Sequence, residues 1–163
     1  MTAPGTVVWF TGLPASGKST LAERVRDRLP RASVILDSDA MREVLEAGSY
    51  AADDRDRFYR VLGNLAANLA HQGLAVLVAA TAQRRAYREL ARAHAPSFVE
   101  VWVRTSADEC AQRDVKGLYA RASAGQIALP GIAVAYEPPT NPDVVAEGGH
   151  DEAAVRAILA LVE

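Results

Sequence analysis

Gly12-Leu13-Pro14-Ala15-Ser16-Gly17-Lys18-Ser19-Thr20 matches the phosphate-cradling pattern G-x-x-x-x-G-K-[ST], a P-loop. Ahead of it Val7-Val8-Trp9-Phe10-Thr11 is β-branched and aromatic, and behind it Thr20 to Arg26 reads as helix. Strand, glycine-bounded loop and helix are the context the motif requires. The glycines let the backbone turn tightly, so that successive N–H groups face one anion at a helix N-terminus. Gly12, Ala15, Ser16, Gly17, Lys18, Ser19 and Thr20 are therefore expected to hold the phosphates of a nucleoside triphosphate. Lys18 would reach the β- and γ-phosphates and the Ser19 hydroxyl would join a Mg²⁺ shell. The plainer reading is a strand-to-helix turn that binds nothing, and the flanking segments argue against it.

Outward from this loop, strand and helix signals alternate. Ser33 to Leu36 is a short second strand and Asp37-Ser38-Asp39 caps a helix from Ala40 to Ala47. Asp53 to Gln72 carries Phe58, Val61, Leu62, Leu65 and Leu69 at helical spacing, with Gly73 as its C-terminal stop. Leu74 to Ala79 lacks polar alternation and reads as a central parallel strand covered on both faces. A helix from Arg84 to His94 ends before Pro96, Phe98 to Val103 is a further strand, and Ser106 opens a helix through Arg113. Asp114 to Ala124 is basic and helical, and Gly125 to Pro142 is rich in glycine and proline, a composition suited to a mobile lid. Asp143 to Ala146 is an edge strand and Asp151 to Val162 a closing amphipathic helix. The expected fold is α/β: a three-layer, doubly wound parallel sheet in one P-loop kinase-like domain, residues 1–163, with a lid near 113–137. Its ligands belong at the carboxyl ends of the strands.

Composition narrows the function classes. The chain has 163 residues, half of them apolar, with a net charge of −2, which gives no electrostatic case for a nucleic-acid polymer or an anionic membrane. The single Cys110 excludes an internal disulfide and a cysteine-based zinc site. The N-terminus carries neither a basic region nor an apolar run, so no signal peptide is expected. No stretch approaches the ~20 apolar residues of a membrane helix. A cytoplasmic protein is expected. A monomer and a homodimer are both left open.

Phosphoryl transfer needs a metal, positioned charge and a group that orients the attacking hydroxyl. Asp37 and Asp39, just beyond the second strand, divide that labour: Asp37 is assigned to the Mg²⁺ shell with Ser19, and Asp39 to the acceptor hydroxyl. The alternative for Asp39 is a plain helix cap. Arg42, one turn further on, and Arg55, behind an acidic pair, are candidates to fork onto an acceptor phosphate or sulfate. Arg113, Lys116 and Arg121 line the lid, where cations would neutralise a transferring phosphate. For all five the alternative is a solvated surface charge. His71, His94 and His150 lack ligand spacing, Cys110 reads as packing, and Trp9 and Trp102 as core.

These residues together resemble the adenylylsulfate (APS) kinases, which transfer the ATP γ-phosphoryl group to the 3′-hydroxyl of adenosine 5′-phosphosulfate. Val8-Trp9-Phe10-Thr11-Gly12-Leu13 with the P-loop is similar to that family's opening, and Leu36-Asp37-Ser38-Asp39-Ala40-Met41-Arg42 resembles its L-D-G-D-N-x-R. Asp54-Arg55 stands at its D-R pair. Cys110-Ala111-Gln112-Arg113-Asp114-Val115-Lys116-Gly117-Leu118-Tyr119 follows C-x-x-R-D-x-K-G-L-Y, and Gly131-Ile132 with Tyr136-Glu137-Pro138-Pro139 follows G-I-D-x-P-Y-E-x-P. The resemblance implies ATP and Mg²⁺ as cofactors, a role in sulfate assimilation and Arg113 on the nucleotide. It also implies an acceptor site at Asp39, Arg42, Tyr50, Arg55, Phe58, Thr81, Lys116 and Leu118.

Departures cluster on the acceptor side. Ala40 and Phe58 replace asparagines, and I-S-P-Y has become Ala80-Thr81-Ala82-Gln83, where Thr81 keeps a hydroxyl. A lid arginine is Ser123 and the acid of G-I-D is Ala133. The family clamps the acceptor adenine between two phenylalanines; Tyr50 keeps one aromatic and Leu129 falls near the other. Three readings follow: phosphorylation of APS; a kinase retuned to another nucleotide conjugate, such as a cytidine diphosphate derivative like cytidine diphosphoramidate, or to a small polar metabolite; and a nucleotide-binding protein without turnover, against which the retained Lys18, Ser19, Asp37 and Asp39 speak.

Overall fold

Val7–Thr11 (β1) is buried along its whole length, as is Ala75–Ala79 (β3), and the two pair in parallel with Val7 opposite Val76. On its other side β1 pairs with Phe98–Val103 (β4), with Val7 opposite Phe98. Ser33–Asp37 (β2) adds to β3 and Val144–Ala146 (β5) to β4, giving an all-parallel sheet in the order β2-β3-β1-β4-β5. These are the coordinates of a computed structural model, which describes residues 3–114, 116–132 and 134–163; the expected lid positions Val115 and Ala133 fall outside them.

Strand alternation divides the core into two layers, because successive side chains point to opposite faces. Val8, Phe10, Leu77, Ala79 and Val101 face Lys18–Arg26 (α1) and the C-terminal helix Glu152–Val162 (α7), meeting Leu21, Val25, Val155 and Ile158. Val7, Trp9, Val76 and Val78 face the other way, against Phe58, Leu62 and Ala66 of Ala52–His71 (α3) and Ala91 of Arg85–His94 (α4). Continuous apolar runs in β1 and β3 are thus those of strands covered on both sides. The Trp9 indole N–H finds its partner in the Ala80 carbonyl, 3.1 Å away. Trp102, expected in the core, is only half-buried: it lies near the end of β4, with the Arg104 guanidinium over its ring.

Ser38–Val44 (α2) follows β2 directly, and its cap is Asp37, whose side chain accepts from the Asp39 N–H at 3.0 Å. Ala107–Arg113 (α5) starts at the expected Ser106 cap. The next helix departs from expectation. In place of Asp114 to Ala124 it spans only Leu118–Ser123 (α6), because Gly117 sits at φ 67. That left-handed turn separates α5 from α6. Asp114 spans the break, its carboxylate accepting from the Tyr119 and Ala120 N–H groups. Cys110, Tyr119, Ala122 and Leu129 form a small separate core under this segment, so Cys110 is packing. Among the described residues no helix is long and apolar enough to cross a membrane.

Candidate active site

The P-loop leaves β1 at the carboxyl edge of the sheet and enters α1 through Gly17, at φ 105. A Cβ there would stand 2.6 Å from the Gly149 backbone nitrogen, so the position admits only glycine. Ala15 also adopts a left-handed conformation, φ 63, a strain of roughly 1–2 kcal/mol that a phosphate-cradling loop retains for its shape. Thr105 holds the loop from outside, its hydroxyl donating to the Ser16 carbonyl at 2.6 Å. Thr20 packs against Gly149 from the first turn of α1.

Inside the loop two groups lack their natural partners. The Ser16 hydroxyl is buried and has no hydrogen-bond partner among the described residues. The Lys18 ammonium folds back onto the Gly12 and Leu13 carbonyls, at 3.1 and 2.8 Å, and burial lowers it to about 8. A hydroxyl and an ammonium turned onto their own loop are what an incoming phosphate would engage. The cradle therefore fits a triphosphate on the chemistry of its own donors.

Ser19 and Asp37 meet across the loop, the hydroxyl donating to the carboxylate at 2.5 Å. The second oxygen of Asp37 carries the α2 cap. Capping therefore falls to Asp37, and the Asp39 carboxylate is left to face the cleft, where it pairs with the Lys116 ammonium. Two oxygen donors at Ser19 and Asp37 suit a hard cation that keeps several waters. Among the described residues no group of three or more His, Cys, Asp or Glu forms a fuller metal cage.

The acceptor candidates gather at the same edge. Arg42 and Arg55 are buried, not solvated. Arg42 donates to the Ala47 and Ser49 carbonyls and lies between two rings, 4.2 Å from the Tyr50 centroid and 4.0 Å from that of Phe58. Arg55 lies 5.7 Å from Tyr50. One cleft is lined by Asp39, Arg42, Glu43, Glu46, Gly48 and Tyr50. A second, of about 490 Å³, opens beside it between α3, α4 and the segment from Ala128 to Glu137, with Tyr50, Arg55, Asp56, Gln83, Arg84, Tyr87 and Val134 among its walls.

Three expected acceptor residues are placed differently. Phe58 is 2% exposed and belongs to the core, so it bears on the cleft through Arg42, whose guanidinium rests on its ring. Leu118 packs against the lid cluster, and Thr81 contributes a carbonyl that accepts the Thr11 hydroxyl at 2.6 Å. Arg113 pairs with Glu109 at 3.6 Å on the surface of α5, and Arg121 is exposed on α6. The α6 segment reaches the P-loop through Tyr119, whose hydroxyl donates to the Pro14 carbonyl at 2.7 Å.

Sequence reasoning missed a buried network behind the cleft. Arg88 is fully buried and donates to Glu100 at 2.9 Å, Thr11 at 3.2 Å, the Ala82 carbonyl at 2.7 Å and the Glu137 carbonyl at 2.6 Å. Tyr136 joins it through Thr11, 2.9 Å away. Tyr136-Glu137-Pro138-Pro139 was the available signal, since a conspicuous run at the end of the lid needs an anchor.

The family model for adenylylsulphate kinase matches residues 4–147. The chain is 42% identical to an adenylyl-sulfate kinase of Picosynechococcus sp., over 86% of this chain and 82% of that protein. It is 45% identical to one of Chloroflexus aurantiacus, over 88% and 80%. Among solved structures, the Mycobacterium tuberculosis APS kinase CysC in complex with AMPPNP and APS superposes with a TM-score of 0.88 at 38% identity, covering 97% of this chain and 98% of that one. This chain belongs to the adenylylsulphate kinase family.

Proposed function

We propose that the chain is an ATP-dependent phosphotransferase acting on the 3′-hydroxyl of adenosine 5′-phosphosulfate, giving 3′-phosphoadenosine 5′-phosphosulfate and ADP. The observation that carries this reading is the convergence at one sheet edge of the P-loop Lys18, the Ser19–Asp37 pair and the uncapped Asp39, in a member of this family. Lys18 and the P-loop amides hold the β- and γ-phosphates, and the buried Ser16 hydroxyl gains a partner in the triphosphate. Ser19 and Asp37 would hold Mg²⁺, which supplies charge neutralisation to the transferring group. Asp39 orients the acceptor hydroxyl and takes its proton as the new P–O bond forms and ADP leaves. Lys116 brings a lid cation to the same point. Buried Arg42 and Arg55 supply positive charge for the acceptor's anionic end.

The test is ADP release with ATP·Mg²⁺ and a panel of acceptors. Turnover with APS at micromolar concentration supports the reading; silence with APS overturns it. A second acceptor class, a cytidine diphosphate derivative, is favoured by the altered cleft wall, where Phe58 is committed to Arg42 and Gln83 replaces an aromatic of the resembled pattern. Turnover on that arm alone assigns the chain to it.

A further inference from the structure

Among the 163 residues, sixteen of the eighteen basic side chains are arginines. The two lysines, Lys18 and Lys116, both stand at the candidate active site. A guanidinium stays protonated and does not acylate, whereas a lysine amine does. Amine chemistry on the side chains is thereby confined to one cleft. The two amines differ in access. Lys18 is folded into the P-loop, donating to the Gly12 and Leu13 carbonyls, where a bound triphosphate would cover it. Lys116 stands outside that cradle with its side chain 64% exposed. It belongs to the turn between α5 and α6, which the Gly117 N–H closes onto the Asp114 carbonyl at 2.9 Å. A side chain built at Gly117 would meet nothing within 4 Å, so the turn is open to a reagent from solvent. The Lys116 ammonium rests on Asp39, a carboxylate that also lines the first cleft.

We infer that Lys116 is an acylation site through which an acyl phosphate switches the enzyme off. The inference rests on the role given to Asp39 above. An acyl phosphate fits because it carries an activated acyl group on a small anion, and the cleft gathers Arg42, Arg55 and Lys116 for anions. In the step, Lys116 Nζ gives a proton to a solvent base and its lone pair attacks the acyl carbon. The carbon–oxygen bond to phosphate breaks, and inorganic phosphate leaves with that electron pair. The amide formed is neutral and no longer an ion-pair partner. Asp39 then loses its counter-charge, and the added acyl group crowds the mouth of the cleft.

The experiment treats the protein with acetyl phosphate in the presence of Mg²⁺ and a non-hydrolysable ATP analogue. Acetyl-lysine is mapped by mass spectrometry, and ADP release is measured after the small molecules are removed. Lys116 is expected to acetylate ahead of Lys18. As it does, kcat/KM for the acceptor falls by ~10-fold or more, the size of one lost charge-assisted hydrogen bond, while the KM for ATP does not rise. Lys116→Arg keeps a cation without an acylable amine, so whatever activity it has is untouched by the treatment. Acetylated Lys116 with undiminished ADP release overturns the inference. So does a loss of activity that tracks Lys18 alone, or an equal loss in Lys116→Arg. If no acceptor yields ADP with untreated protein, the reading of function fails, and the mapping alone then decides the site: Lys116 labelled ahead of Lys18 keeps it, and equal labelling removes it.

Discussion

Burial acts directly on Lys18, the candidate phosphate-binding ammonium. Its ammonium is lowered to about 8 by burial, so in the free protein it is charged below that pH and neutral above it. Because kcat/KM reports groups of the free enzyme, kcat/KM for ATP should fall with a single-proton limb above pH about 8. Lys18→Ala should abolish turnover at every pH, and a variant with normal turnover would remove Lys18 from the phosphate site. Asp39 makes a separate case. With the α2 cap supplied by Asp37, Asp39 does not cap the helix, and among the described residues its carboxylate pairs with Lys116. Asp39→Asn should therefore lower kcat by ~10²-fold or more while the melting temperature and ATP affinity barely change. An unaltered kcat would reduce Asp39 to a surface ion pair. Both residues were legible in the sequence because motif spacing fixes which side chains leave a strand together. Burial of Arg42 and Arg55 was not, since nothing in the local pattern says that Tyr50 and Phe58 will close over a guanidinium.

The segment around α6 marks the limit of what periodicity can tell. β1, β3 and β4 fall within a residue of their expected bounds, because a fully buried parallel strand leaves an uninterrupted apolar run. Asp114 to Ala124 reads as one helix by composition, yet α6 begins only at Leu118. Gly117 makes the break, and Asp114 compensates by accepting from two N–H groups of the new first turn. The purpose of that break is orientation, since it turns Tyr119 toward the P-loop, where its hydroxyl reaches Pro14. Tyr119→Phe keeps the ring in the Cys110–Leu129 cluster and removes the hydroxyl that ties it to Pro14. One hydrogen bond of this kind contributes about 0.5–1.5 kcal/mol, so the lid should dock less firmly and the KM for ATP should rise by up to ~10-fold with little change in melting temperature. Steady-state kinetics decide it: an unchanged KM would mean that the apolar cluster alone docks the lid.

Four segments distant in the chain meet at Arg88: Thr11 at the end of β1, the strained Ala82 turn after β3, Glu100 in β4, and the Tyr136–Glu137 stretch. No single-element signal announces such a node, because an arginine in an amphipathic helix ordinarily belongs to its wet face. Its partner Glu100 is 4% exposed, and burial raises its carboxyl above the ordinary value, opposed chiefly by Arg88 and then by Arg92. Between the ordinary and the raised value the native state holds the proton more often than the unfolded chain does, so stability falls as pH rises through that window. Arg88→Met removes the main opposing charge, which carries the window further up and leaves the buried carboxylate at neutral pH with the weaker compensation of Arg92. The variant should lose about 3 kcal/mol at pH 8, the lower end for a broken buried pair because Arg92 still stands 3.5 Å from Glu100. At pH 5 part of that loss should vanish as Glu100 takes up a proton, and Arg88→Met with Glu100→Gln should recover stability at pH 8. Urea unfolding at the two pH values measures both effects. Equal losses at pH 5 and pH 8 would show that Arg88 acts through shape and its carbonyl partners, with the Glu100 charge neutralised from elsewhere.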